Sequence, residues 1–202
     1  LRDRVWRQFC DQVGRDAVLA GHRRALEETG LDLRDLRAAF VTFVTHGDVR
    51  DWPHAAVTPP AIGGLLEEIC GEIRKQRQSV KPDAKKDKLF VALEDFLRAY
   101  DTRPDDSPAA LFRAAEQLTG KCPEITQSLW LPGAPQERQR AKKGDLENWW
   151  ATLVARIEPL LGQWYAYRYQ FVIPLLVAAR DHYERVRLDE GVLSFQDLLA
   201  RT

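Results

Sequence analysis

Apolar residues recur at helical spacing along most of the chain. Val5, Phe9, Val13, Ala17, Leu19 and Leu26 mark two helices, or one interrupted helix, broken around Gly14 and Gly21, with Gly30 as the stop. Asp32 is placed to cap a helix whose one face carries Leu33, Leu36, Phe40, Phe43 and Val44, ending at Gly47-Asp48. A loop through Trp52-Pro53 and Thr58-Pro59-Pro60 leads to the next, with the prolines in its first turn and Ile62, Leu65, Leu66, Ile69 and Ile73 on its apolar side. Further helices follow with Leu89, Leu93, Phe96, Leu97 and Tyr100, closed at Thr102-Arg-Pro104, and from Ser107-Pro108 through Leu111, Phe112 and Leu118.

Residues 120–144 hold Gly120, Pro123, Pro132, Gly133, Pro135 and Gly144, which predicts a long irregular loop. Asp145 then opens one long stripe: Leu146, Trp149, Trp150, Leu153, Ile157, Leu160, Leu161, Trp164, Phe171, Leu175, Leu176, Ala179, Tyr183 and Val186. Pro159 and Pro174 should kink or divide it, because each removes a backbone donor and crowds the preceding turn. Gly191 stops it, and Ser194 with Asp197 resembles a capping box for a last helix. No alternating apolar pattern marks a strand, so the expected fold is all-α. It reads as a single domain over 1–202, with the loop at 120–144 as a possible internal boundary.

With 202 residues and 45% hydrophobic composition the chain can bury a core. Thirty basic residues balance thirty acidic ones, so any argument from charge has to be local. Cys10, Cys70 and Cys122 form no close pair, which suggests free thiols in a reducing compartment. No run is apolar enough to span a membrane and no leader pattern opens the chain, so the expectation is a cytoplasmic protein without a membrane partner. The absence of Met, even at position 1, suggests an internal piece of a longer protein.

Catalytic signatures are absent: no phosphate-binding loop, no dinucleotide glycine motif, no zinc-protease helix and no nucleophile elbow. His46, Asp48, Asp51 and His54 could together chelate a metal, but their spacing matches no ligand signature and a polar loop explains them, so no metal site is assigned. His22 and His182 stand alone on charged helices. Trp164, Tyr165, Tyr167, Tyr169 and Phe171, with Arg168, could stack bases; the competing reading is a core stripe, with Tyr165 and Tyr169 as its exposed pair.

The clearest charge feature runs from Arg74 to Lys88. It carries Arg74, Lys75, Arg77, Lys81, Lys85, Lys86 and Lys88 against only Asp83 and Asp87. Such a run is either a solvated face or a phosphate contact. If the 120–144 segment folds beside it, Lys121, Lys142 and Lys143 extend the patch.

The carboxyl end is more specific. Tyr183-x-x-x-Arg187-x-x-x-Gly191-x-Leu193-Ser194-Phe195-x-Asp197-Leu198-Leu199 resembles the Y-x-x-x-K-x-x-x-G-x-L-D-F-x-D-L-L segment of UvrD/Rep-type DNA helicases and of the related RecB- and AddA-type helicase–nucleases. Arg187 stands where lysine is usual and Ser194 where aspartate is usual. Leu31-Asp-Leu-Arg-Asp-Leu36 through Asp48-Val49 and Trp52-Pro53 is similar to the early part of the same region in the helicase–nuclease branch.

The resemblance implies an all-α accessory subdomain, called 1B in that family, which contacts duplex or forked DNA through its backbone. ATP and magnesium would then belong to the motor domains of the parent chain, and no cofactor to this one. Recombinational repair is the implied setting, and the size of the insertion favours the RecB branch. The expected phosphate contacts are Lys75, Arg77, Lys81, Lys85, Lys86, Lys142 and Lys143. A self-contained helical module that binds a protein partner through an apolar groove is the alternative, and a metal-dependent enzyme using His46 and His54 a third.

Overall fold

A computed structural model describes residues 1–45, 52, 56–78, 80 and 87–192, and among them every regular element is a helix. The fold is all-α. The chain divides into two compact units: residues 1–57 with 166–202, and residues 58–165. The 120–144 segment lies within the second.

The first unit contains α1 (Arg2–Val13), α2 (Ala17–Glu28) and α3 (Leu36–Thr45), with the last part of α8 (Gln136–Asp189). The break between α1 and α2 falls at Gly14, while Gly21 lies inside α2. Asp16 explains why: its carboxylate accepts from the Val18 and Leu19 N–H groups at 2.9 and 3.1 Å, which caps α2. Gly30 ends that helix at a φ of 79°, a conformation costly for other residues. Asp32 accepts from the Arg34 N–H at 2.7 Å, and Asp35 accepts from the Asp32 N–H at 2.8 Å. The pair closes a turn ahead of α3, which begins only at Leu36. Trp6, Phe9, Val13, Leu26, Leu36, Phe40, Phe43 and Val44 bury against Ile173, Leu175, Leu176 and Ala179 of α8. In the segment after α3, the Gln170 amide donates to the Val57 carbonyl at 3.0 Å and accepts from its N–H at 3.4 Å.

His182 packs beside Phe9, ring centroids 6.5 Å apart, and its buried Nε2 has no hydrogen-bond partner. Burial and then the Arg185 guanidinium lower its pKa from the ordinary 6.5. Because the folded state holds the proton less tightly than the unfolded chain, stability falls as pH drops below about 6.5 and levels off below the folded-state pKa. Urea titrations of the native chain and a His182→Gln variant between pH 7.5 and 5 test this. The difference between the two should shrink toward low pH, and a constant difference would contradict it.

The second unit contains α4 (Gly63–Arg77), α5 (Lys88–Asp101), α6 (Pro108–Ala115), the short α7 (Gln127–Trp130) and the first part of α8. Pro59 and Pro60 precede α4 instead of opening it, since each proline disfavours helical backbone in the residue before it. Ser107 caps α6 through a 3.3 Å bond from the Ala110 N–H, with Pro108 in its first turn. The buried core includes Leu66, Ile69, Ile73, Leu93, Phe96, Phe112, Leu153, Ile157 and Trp164.

Helix α8 is one continuous helix of 54 residues. It starts well before Asp145, and neither Pro159 nor Pro174 divides it. An interior proline costs about 3 kcal/mol. Burying Ile157 and Leu161 around one, and Ile173, Leu175 and Leu176 around the other, contributes roughly 1.5–3 kcal/mol per side chain, so packing outweighs the lost backbone bonds. At the far end the Gly191 N–H donates to the Leu188 carbonyl at 3.0 Å and the Val192 N–H to the Arg187 carbonyl at 2.9 Å, with Gly191 at φ 66°. This is a Schellman stop.

Candidate nucleic-acid interface

The candidate site is built on the seam between α4 and α8. Arg156 on α8 binds Glu68 at 2.8 Å and Glu72 at 2.7 Å. The Trp149 indole donates to Glu72 at 3.2 Å, and the Lys142 amine donates to the Gln76 side chain at 3.3 Å. Contacts that climb α4 descend α8, so the two run antiparallel. Burial raises the Glu72 carboxyl, but the Arg156 and Trp149 bonds outweigh it and hold the group below the usual carboxylate value. Glu72 is thereby kept charged at the centre of the seam. The seam sets the last turn of α4 beside the first turns of α8, which brings Lys75 and Arg77 to the end of the unit where Lys142 and Lys143 lie.

Lys142 and Lys143 are therefore not loop residues. The sequence at 136–143 has no apolar stripe, but Gln, Glu, Arg, Ala and Lys are strong helix formers, and Gly144 costs only about 1 kcal/mol in a helix interior. What remains irregular is shorter: the stretch after α6 and residues 131–135.

Several expected contacts already have partners. Arg77 pairs with Glu94 of α5, Lys143 with Glu147 at 3.6 Å, and neighbouring Arg74 with Asp101 at 2.7 Å. Lys88 pairs with Glu124 at 2.9 Å. Lys75 is exposed with no ion pair among the described residues. The same holds for Arg138 and Arg140 on α8, and for Lys121, whose neighbour Gly120 accepts from the Trp150 indole at 3.1 Å. Arg138 and Arg140 are visible in the sequence as basic residues of the 120–144 segment, with Lys121, Lys142 and Lys143, but are not among the expected phosphate contacts. Lys81, Lys85 and Lys86 lie outside the described residues.

Compared with family models, curated proteins and solved structures, the chain matches none. Its chemistry has to be read from its own side chains.

Of the carboxyl-end motif, Tyr183 packs edge-on against Phe40 at 6.1 Å. Arg187 is buried, binds Glu184 through Nε and Nη2 at 3.0 and 2.6 Å, and donates from Nη1 to the Val192 carbonyl at 3.0 Å. Leu193, Ser194, Phe195, Asp197, Leu198 and Leu199 lie outside the described residues. So do His46, Asp48, Asp51 and His54; among the described residues no group of three or more His, Cys, Asp or Glu side chains could hold a metal ion.

The aromatic stripe on α8 splits by burial. Trp164 is buried and stacks on Phe112 at 4.7 Å, while Tyr167 and Phe171 pack edge to face at 5.2 Å. Tyr165 and Tyr169 are the exposed members. Burial raises the thiols of Cys70 and Cys122 to about 11, and raises Cys10 as well. All three are therefore protonated at neutral pH and poor nucleophiles. A cleft of about 660 Å³ in the first unit is lined by Trp6, Cys10, Arg7, Arg34, Arg37, Asp3 and Asp11. Asp3 neutralises Arg37 at 2.6 Å and Asp32 neutralises Arg34 at 2.5 Å, so it offers little net charge. No described helix is long and apolar enough to cross a membrane.

Proposed function

We propose that this chain is the DNA-contacting accessory subdomain of a UvrD/RecB-like ATP-dependent DNA helicase, acting in repair or recombination. It holds the phosphate backbone while motor domains elsewhere in the parent protein bind ATP and magnesium and do the work. The observation that carries the reading is the Lys142–Gln76 bond, which joins two basic segments 66 residues apart in sequence into one cationic end. Several lysines and arginines on one surface give sequence-independent affinity that depends steeply on salt.

Titration of the full chain with forked DNA at several salt concentrations tests the reading. The logarithm of the binding constant should fall linearly with the logarithm of salt concentration, and no binding at low salt would end the DNA-contact proposal. The helicase assignment has its own test in the parent gene, which should encode a Walker A motif before this segment and a Walker B strand after it.

A further inference from the structure

We propose that Lys75, Arg138 and Arg140, and not the ion-paired Arg77 and Lys143, are the side chains that meet phosphodiester groups at this end of the second unit. The inference rests on the DNA-contact reading and deepens it. Affinity of this kind comes from counterions released as cations neutralise phosphates. Arg77 and Lys143 already face Glu94 and Glu147. To contact a phosphate they would have to break those pairs and leave a carboxylate facing the incoming anion. Lys75, Arg138 and Arg140 are exposed and have no such partner among the described residues.

The position of the two arginines carries the argument further. Backbone dipoles make a helix N-terminus positive, so cations are favoured at the other end. Lys75 obeys this rule in the last turn of α4. Arg138 violates it in the first turn of α8 and Arg140 follows in the second, with Glu137 as the acidic residue of that first turn. A guanidinium set against the helix field, as that of Arg138 is, is a local cost, and such conflicts between a local rule and the fold concentrate at functional sites. A polyanion lying across this end relieves the conflict.

The arginines are also well anchored. The side chain of Gln139, between them in sequence, donates to the Leu131 and Ala134 carbonyls at 3.4 and 3.0 Å. With Lys142 held on Gln76, the start of α8 is fixed before any ligand arrives, which lowers the ordering cost of binding. A guanidinium presented in this way forms two parallel bonds to one phosphate.

The test compares four full-length proteins binding one duplex by fluorescence anisotropy over a series of salt concentrations, with thermal melts of each. They are the native chain, K75Q/R138Q/R140Q, R77Q/K143Q and the charge-keeping R138K/R140K. The triple variant should lose about 0.9 in log–log salt slope for each contact removed. It should melt no lower than the native chain, since the misplaced first-turn charge of Arg138 is gone. R77Q/K143Q and R138K/R140K should keep the native slope. If R77Q/K143Q loses slope and the triple variant does not, the residue assignment is overturned and the DNA reading stands. A native chain with no salt-dependent binding overturns both.

Discussion

An Asp87→Ala variant is expected to lose about 2–4 kcal/mol of unfolding free energy, from the removal of one helix cap and the exposure of a second unpaired donor. Asp87 is fully buried at the start of α5. One carboxylate oxygen accepts from the Phe90 N–H at 2.8 Å, and the other accepts from the Thr126 N–H just ahead of α7. The Leu89 N–H adds a 3.4 Å bond to the Glu124 carbonyl in the same place. A single side chain thus ties the segment before α7 to α5 across 39 residues. Asp87→Asn, which keeps one acceptor oxygen, should lose about half as much. Urea unfolding followed by circular dichroism measures both, and a loss below about 1 kcal/mol for the alanine variant would show that the carboxylate is not the tie.

A Trp164→Ala variant is expected to lose about 3–5 kcal/mol, through lost burial and the cavity left behind. Trp164 is 2% exposed, and its ring lies within 6° of parallel to that of fully buried Phe112. Such a pair adds roughly 0.5–1.5 kcal/mol beyond area. Tyr165 is the internal control. It is 49% exposed and reaches the Glu116 carboxylate at 3.3 Å, so Tyr165→Ala should stay within about 1 kcal/mol of native. Equal losses at the two positions would overturn the burial argument. The same pair of variants separates core from base-stacking roles, since a residue sealed under Phe112 cannot meet a base.

Where local chemistry decides, the sequence was legible. Ser107-Pro108 announces α6, Gly30 and Gly191 announce stops, and the apolar stripes name the buried faces of α3, α5 and α8. Where packing decides, it was not. Pro159 and Pro174 read as breaks because their backbone cost is local, whereas the burial that overrides it comes from partners far along the chain. Residues 136–143 read as loop because a helix exposed on most sides carries no stripe, and Gly144-Asp145 imitates a helix start. The candidate site suffered most. The residues at 74–77 and 138–143 were visible as charge, but only the fold reveals that Arg77 is already paired and that Lys142 reaches Gln76.

Arg187 shows how much one guanidinium can settle. A lysine there could offer one ammonium, while the guanidinium binds Glu184 one turn back and the Val192 carbonyl beyond the Gly191 reversal at the same time. The chain therefore leaves α8 through Val192 on a set heading, aimed by the helix behind it.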